Sequence, residues 1–139
     1  MRKKSTIKWF IALILIAGIY PAFVVGVTWS FVFRSDLQGG KNGPLDAYRH
    51  TLASAIVSYT TGEFTVKLFT EWVESKHKDA GIMDRHNNLI GAGIGSRCKS
   101  FRAIEPAVAQ AVLNGSVRAE EASQVTWLPE EEWKDGRFW

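Results

Sequence analysis

Residues 9–33 carry no charged side chain, and this run limits what the rest of the chain can be. At ~1.5 Å of rise per residue, a helix over it is long enough to cross a ~30 Å hydrocarbon core with some tilt. Trp9 and Trp29 stand near its ends, where indole rings favour the membrane–water interface. Pro21 falls mid-run and predicts a kink or interruption, which membrane helices tolerate. Arg2, Lys3, Lys4 and Lys8 precede the run, and only Arg34 follows closely. The positive-inside rule then places the N-terminus in the cytoplasm and everything from Arg34 onward across the membrane. A cleaved signal peptide is the rival reading, but the run exceeds a usual h-region and no Ala-x-Ala site follows it. A buried core helix is a third reading, for which the run is too uniformly apolar in so small a domain. The expectation is an uncleaved signal-anchor whose partner is the lipid bilayer.

Beyond the run, roughly 100 residues remain, enough for one modest domain. The chain holds 17 Lys and Arg against 14 Asp and Glu; the four basic residues ahead of the run leave 13 against 14. The basic character therefore belongs to the anchor, and no basic stripe points to nucleic acid. Cys98 is the single cysteine, which excludes an intrachain disulfide and paired-cysteine metal sites.

Residues 34–43 (RSDLQGGKNG) read as a flexible linker with turn signals at Gly39-Gly40 and Asn42-Gly43. Pro44 suits the first position of a helix over 44–59, and Thr60, Thr61 and Gly62 predict its end. A second helix is expected over 63–76, with Phe64, Leu68, Phe69, Trp72 and Val73 as its apolar stripe and Glu71 and Glu74 solvated. A third spans 83–100, weakened by Gly91, Gly93 and Gly95 unless a neighbour packs closely. A fourth starts at Pro106 and ends at the Asn114-Gly115 cap signal. The helical domain is thus 44–115. Residues 116–139 form a tail of Trp127, Trp133, Phe138 and Trp139 among acidic residues, docked irregularly, with a short strand at 125–127 as the alternative. The expected fold class is all-α: an N-terminal transmembrane helix, a small helical domain and an irregular aromatic tail.

Two of these helices share a pattern. Asp46 and His50 stand at i and i+4, so they share one face, surrounded by small residues such as Ala47, Ala53 and Ser54. Asp84 and Asn88 repeat the spacing, and their stripe continues through Gly91 and Gly95. Small residues let the two faces meet, gathering one imidazole, two carboxylates and an amide. Such a group supports general-base activation of water, or a divalent metal held by Asp46, His50 and Asp84. Spacing does not choose between them. The plainer account is a first-turn carboxylate at each helix start with a surface histidine and a solvated amide. Arg49 suits an anionic group, or is an ordinary surface arginine. Arg85, His86 and His77 read as surface residues, and Ser54, Ser58 and Cys98 have no base at obvious spacing.

GPLDAYRH, residues 43–50, and MDRHNNLIG, residues 83–91, together resemble an uncharacterised bacterial domain family with paired P-x-D-A-x-R-H and M-D-x-x-N-N-x-x-G motifs. That family occurs in polymorphic-toxin-like and other secreted or envelope proteins, and the resemblance covers about residues 43–115. It implies roles for Asp46, Arg49, His50, Asp84, Asn87, Asn88 and Gly91. It also implies a glutamate supplied by Glu74 or Glu71, with Glu74 retained, against its solvated periodicity. The expectation is an envelope protein of the bacterial inner membrane, with a periplasmic or extracellular domain. Its hydrolase-like site has His50, Asp46, Asp84 and Asn88 as catalytic residues and Arg49, Asn87 and Glu74 as substrate-binding residues. The alternative is a non-catalytic interaction module for an envelope protein partner, its polar motifs forming a structural hydrogen-bond network. An immunity or accessory factor is a third class that the residues do not test.

Overall fold

Pro21 shapes the N-terminal helix in the way its chemistry requires. Proline lacks an N–H and its ring crowds the carbonyl four residues back. In the computed structural model, α1 (Lys3–Ile14) passes through a π-helical turn, Leu15–Ile19, into α2 (Tyr20–Val32). The wide turn directly before Pro21 absorbs the misfit, so the helix continues. The structure describes residues 3–74, 76–119 and 121–138, with backbone alone at 3–6, 15 and 16. Arg2, Trp139 and the side chains of Lys3 and Lys4, which entered the sequence expectations, lie outside the described residues.

Residues Ile7–Val32 are long and apolar enough to cross a membrane. The two halves of the helix differ, however. Ile7, Trp9, Phe10, Leu13, Ile14 and Ile19 are exposed, whereas Val24, Thr28 and Val32, one turn apart, are buried. Val24 and Val32 join the core formed by Leu45, Tyr48, Leu52 and Ile56 of α3 and Ile104, Val108 and Val112 of α6. The second half of the apolar run is therefore part of the domain.

The helix α3 (Pro44–Thr61) outlasts its expected end by two residues. Thr60 and Thr61 return their hydroxyls to the carbonyls of Ile56 and Val57 at 2.8 Å, so they extend the helix rather than break it. Gly62, at φ 98°, then turns the chain into α4 (Glu63–Val73). The helix α5 (Asp79–Arg97) begins earlier than expected, with Asp79 in its first turn. It lies tightly along α3: a Cβ at Gly91 would sit 2.2 Å from the Thr51 carbonyl oxygen, and one at Gly95 2.1 Å from that of Ala55. Ser54 meets Asn88, and Ser58 meets the Ala92 carbonyl, so α3 and α5 run in the same direction. A 3-10 turn, Phe101–Ala103, leads into α6 (Ile104–Leu113).

Residues 34–43 correct the expectation of a linker in which little packs. Gly39, Gly40 and Gly43 are buried beneath the tail. A Cβ on Gly39 or Gly43 would stand 3.0 Å from the Trp133 ring, and one on Gly40 would collide with the Gly136 carbonyl. The tail forms a small parallel pair, β1 (Ser116–Val117) with β2 (Thr126–Trp127). Trp133 donates its indole N–H to the Leu128 carbonyl at 2.7 Å. Arg137 reaches the Val32 carbonyl at 2.6 Å, and Phe138 stacks on Trp29. The aromatics thus seal the linker and the end of α2.

The stripe of α4 is the other correction. Phe64, Leu68, Phe69, Trp72 and Val73 face outward, while Val66 and Thr70 are buried against the domain. Glu74, just past the helix, is half-buried instead of solvated, and Glu71 is exposed as expected.

Candidate metal and hydrolytic site

The first two turns of α3 supply most of the site. Asp46 lies in the first turn, where a carboxylate is favoured by the helix's positive end. Its Oδ2 accepts the Asn42 backbone N–H at 2.7 Å, and its Oδ1 accepts the guanidinium of Arg49. Those partners satisfy the buried side chain of Asp46. His50 follows one turn later. Its Nε2 lies 3.5 Å from Asp46 Oδ1 and 3.4 Å from Asp84 Oδ1, which α5 brings across the glycine contact. One nitrogen thus stands between two carboxylates from different helices, as the paired motifs predict.

Neither contact is short enough to be a good hydrogen bond. Asp84 Oδ1 is buried and receives no hydrogen bond. Burial chiefly pushes the Asp84 carboxyl up, to about 6; the charges of Asp46 and Glu74 push the same way, and His50 and Arg49 oppose them. The three side chains each offer a ligand atom, all within 4.8 Å of one another. Ligands ~2.1 Å from a tetrahedral metal stand ~3.4 Å apart, close to the two separations observed at His50. One nitrogen and two carboxylate oxygens form a donor set that suits a divalent ion of intermediate hardness.

Asn88 lies one turn beyond Asp84 and ties three helices together. Its Oδ1 accepts the Ser54 hydroxyl at 2.8 Å, and its Nδ2 is 3.4 Å from Glu74 Oε1. Glu74 therefore borders the site, where periodicity alone put it in solvent. Asn87 is placed elsewhere. Fully buried, it donates to the Thr126 carbonyl at 2.8 Å and accepts the Thr126 N–H at 2.9 Å. Both ends of its amide clamp β2, which leaves it no reach towards a substrate. His86 bonds the Gln124 carbonyl at 2.5 Å, and Arg85 pairs with Glu71; neither enters the site.

His50 and Arg49 also line a cavity of about 300 Å³ between α2 and α3, with Val24, Val25, Thr28, Trp29 and Ala53. The Arg49 guanidinium lies over the Trp29 ring at 5.6 Å. Thr28 Oγ1 is buried there without a hydrogen bond. Sequence reasoning missed Thr28 and Trp29 as neighbours of the site, because the whole apolar run was read as membrane-embedded. The one available signal was a threonine inside that run. No family model matches the chain, and no curated protein or solved structure is similar to it.

Proposed function

We propose that this chain is a membrane-anchored envelope protein with a metal-dependent, hydrolase-like site at the foot of its anchor. The reading rests on one observation: His50 Nε2 stands 3.5 and 3.4 Å from carboxylate oxygens of Asp46 and Asp84. Asp46, His50 and Asp84 would hold the ion, which would supply a bound water acidic enough to ionise near neutral pH. Asn88 and Glu74 fix the Asp84 side of the site, and Arg49 gives the cavity a positive wall that suits an anionic, phosphate-bearing substrate. The apolar helix spans the bacterial inner membrane with its N-terminus cytoplasmic, on the strength of Lys3, Lys4 and Lys8 ahead of it. The domain then faces the periplasm or the exterior. The likeness of the two motifs to the bacterial domain family belongs to the same proposal.

A structural role for the same residues has its own support. Asp46 already accepts from Asn42 and Arg49, and Asn88 is satisfied by Ser54. A non-catalytic interaction module needs no more than that network. Metal analysis of the detergent-purified full chain separates the two readings. The enzyme reading expects stoichiometric divalent metal that disappears in folded His50→Ala and Asp84→Asn variants. A metal-free wild type that binds none on titration with zinc or manganese overturns it in favour of the network.

A further inference from the structure

Helix α4 presents an apolar face that stands exposed among the described residues. Phe64, Leu68, Phe69, Trp72 and Val73 are all exposed, Trp72 at 92%. One flank of the helix is charged, with Glu63 and Lys67 paired at 2.8 Å. Contiguous exposed aromatic surface on one side of an amphipathic helix marks a contact with another phase or molecule.

The position of α4 identifies which. The Tyr20 hydroxyl is 2.5 Å from Thr60 Oγ1, and Trp29 lies by Arg49, so α2 and α3 are antiparallel. The end of α3 therefore stands where the exposed half of the apolar helix leaves the domain. Gly62 turns the chain there, and α4 starts at that level and runs back towards Asn88, as the Glu74 contact shows. The stretch ahead of α2, from Ile7 to Ile19, covers only ~20 Å as a helix. A hydrocarbon core of ~30 Å takes about 20 residues. Counted from Ile7, that length passes Tyr20, the level at which α4 starts, and reaches Gly26. The same end carries exposed Arg97, Lys99 and Arg102 around Phe101, whose ring touches Phe23 and Tyr59. Long basic side chains keep their charges at anionic phosphates while their stems lie in apolar surroundings.

We propose that the apolar face of α4 is a second membrane contact, lying against the bilayer beside the emerging apolar helix. The proposal rests on the membrane-anchored reading above. It makes the anchor and α4 a paired attachment that fixes how the domain, and with it the His50 cavity, stands relative to the lipid surface.

The full chain, with Cys98→Ser, is placed in nanodiscs of phosphatidylglycerol and phosphatidylcholine. Nitroxide labels are attached at single exposed positions: Leu13→Cys, Leu68→Cys, Trp72→Cys and, as a water control, Asp135→Cys. Collision with oxygen, which partitions into lipid, is compared with collision with a water-soluble nickel chelate. The expected result is an oxygen-favoured signature at positions 13, 68 and 72 and a nickel-favoured one at 135. Nickel-favoured signatures at 68 and 72 with 13 in lipid overturn the α4 contact and leave the anchor standing. A nickel-favoured signature at 13 removes the anchored reading and this proposal with it. Protection of 68 and 72 from both reagents means that protein covers α4, which also overturns the proposal.

Discussion

Asp84 is held where its ionised form is disfavoured, and the consequence is measurable without knowing any substrate. Its carboxyl rises from 3.8 to about 6, chiefly through burial. The folded state thus holds this proton more tightly than the unfolded chain does. Linkage then makes folding more favourable in acid, with stability lost as pH rises from about 4 to about 6 and level beyond. In chelator, the full chain is expected to show this acid-side gain in thermal unfolding, and Asp84→Asn to abolish it. A wild-type curve parallel to that of Asp84→Asn across the window contradicts the burial account. Bound metal reverses the slope, because deprotonated Asp84 becomes a ligand and protons compete with the ion. Much of this site was legible in sequence: the i, i+4 spacings placed Asp46 with His50 and Asp84 with Asn88. Asn87 was not, because its partner is the backbone of Thr126, in a tail without periodicity.

At the scale of elements, the contact between α3 and α5 carries the site, and glycine sets its closeness. Gly91→Ala puts a methyl 2.2 Å from the Thr51 carbonyl oxygen, a backbone atom that cannot step aside. Overpacking of that kind costs ~1–3 kcal/mol and pushes Asp84 away from His50. Gly93→Ala meets only the movable end of Arg97, at 3.2 Å, so the better helix propensity of alanine leaves it neutral or stabilising. Thermal unfolding and metal content of the two variants are expected to diverge; equal losses of both in Gly93→Ala would count against the close-packing explanation. The small residues on both stripes made this contact readable beforehand. The direction of α4 was not readable. Periodicity locates an apolar stripe, but it does not say whether the stripe turns to a core or to something outside the chain. Val66 and Thr70 form the narrow inward face, and no count of apolar residues favours them over the aromatic side. Residues 34–43 misled for a related reason: turn residues look alike in a free linker and in a loop sealed from far along the chain, here by Asn42 bonding the Glu132 carbonyl.

For the molecule as a whole, the apolar helix is both a candidate membrane span and a wall of the domain. Val24 and Val32 are buried in the same core as α3 and α6, and Arg137 ties the tail to the Val32 carbonyl. Burial of a valine side chain contributes ~1.5–3 kcal/mol, so the two together, ~3–6 kcal/mol, are a large part of the ~5–15 kcal/mol that holds an ordinary small domain folded. A chain starting at Arg34 therefore loses core, the Thr28 and Trp29 wall of the cavity, and the anchor point of the tail in one step. It is expected to lack a cooperative thermal transition and to be rapidly proteolysed. A chain starting at Tyr20 keeps Val24, Thr28 and Val32 and is expected to unfold cooperatively in mild detergent. Circular dichroism melts and limited proteolysis of the two forms check this. A cooperative transition in the Arg34 form would show that the helix merely rests on the domain, and would restore a cleaved leader as a reading. Removing the run would open the core that sets His50 against Asp84, so the candidate membrane span is also the segment that holds the site together.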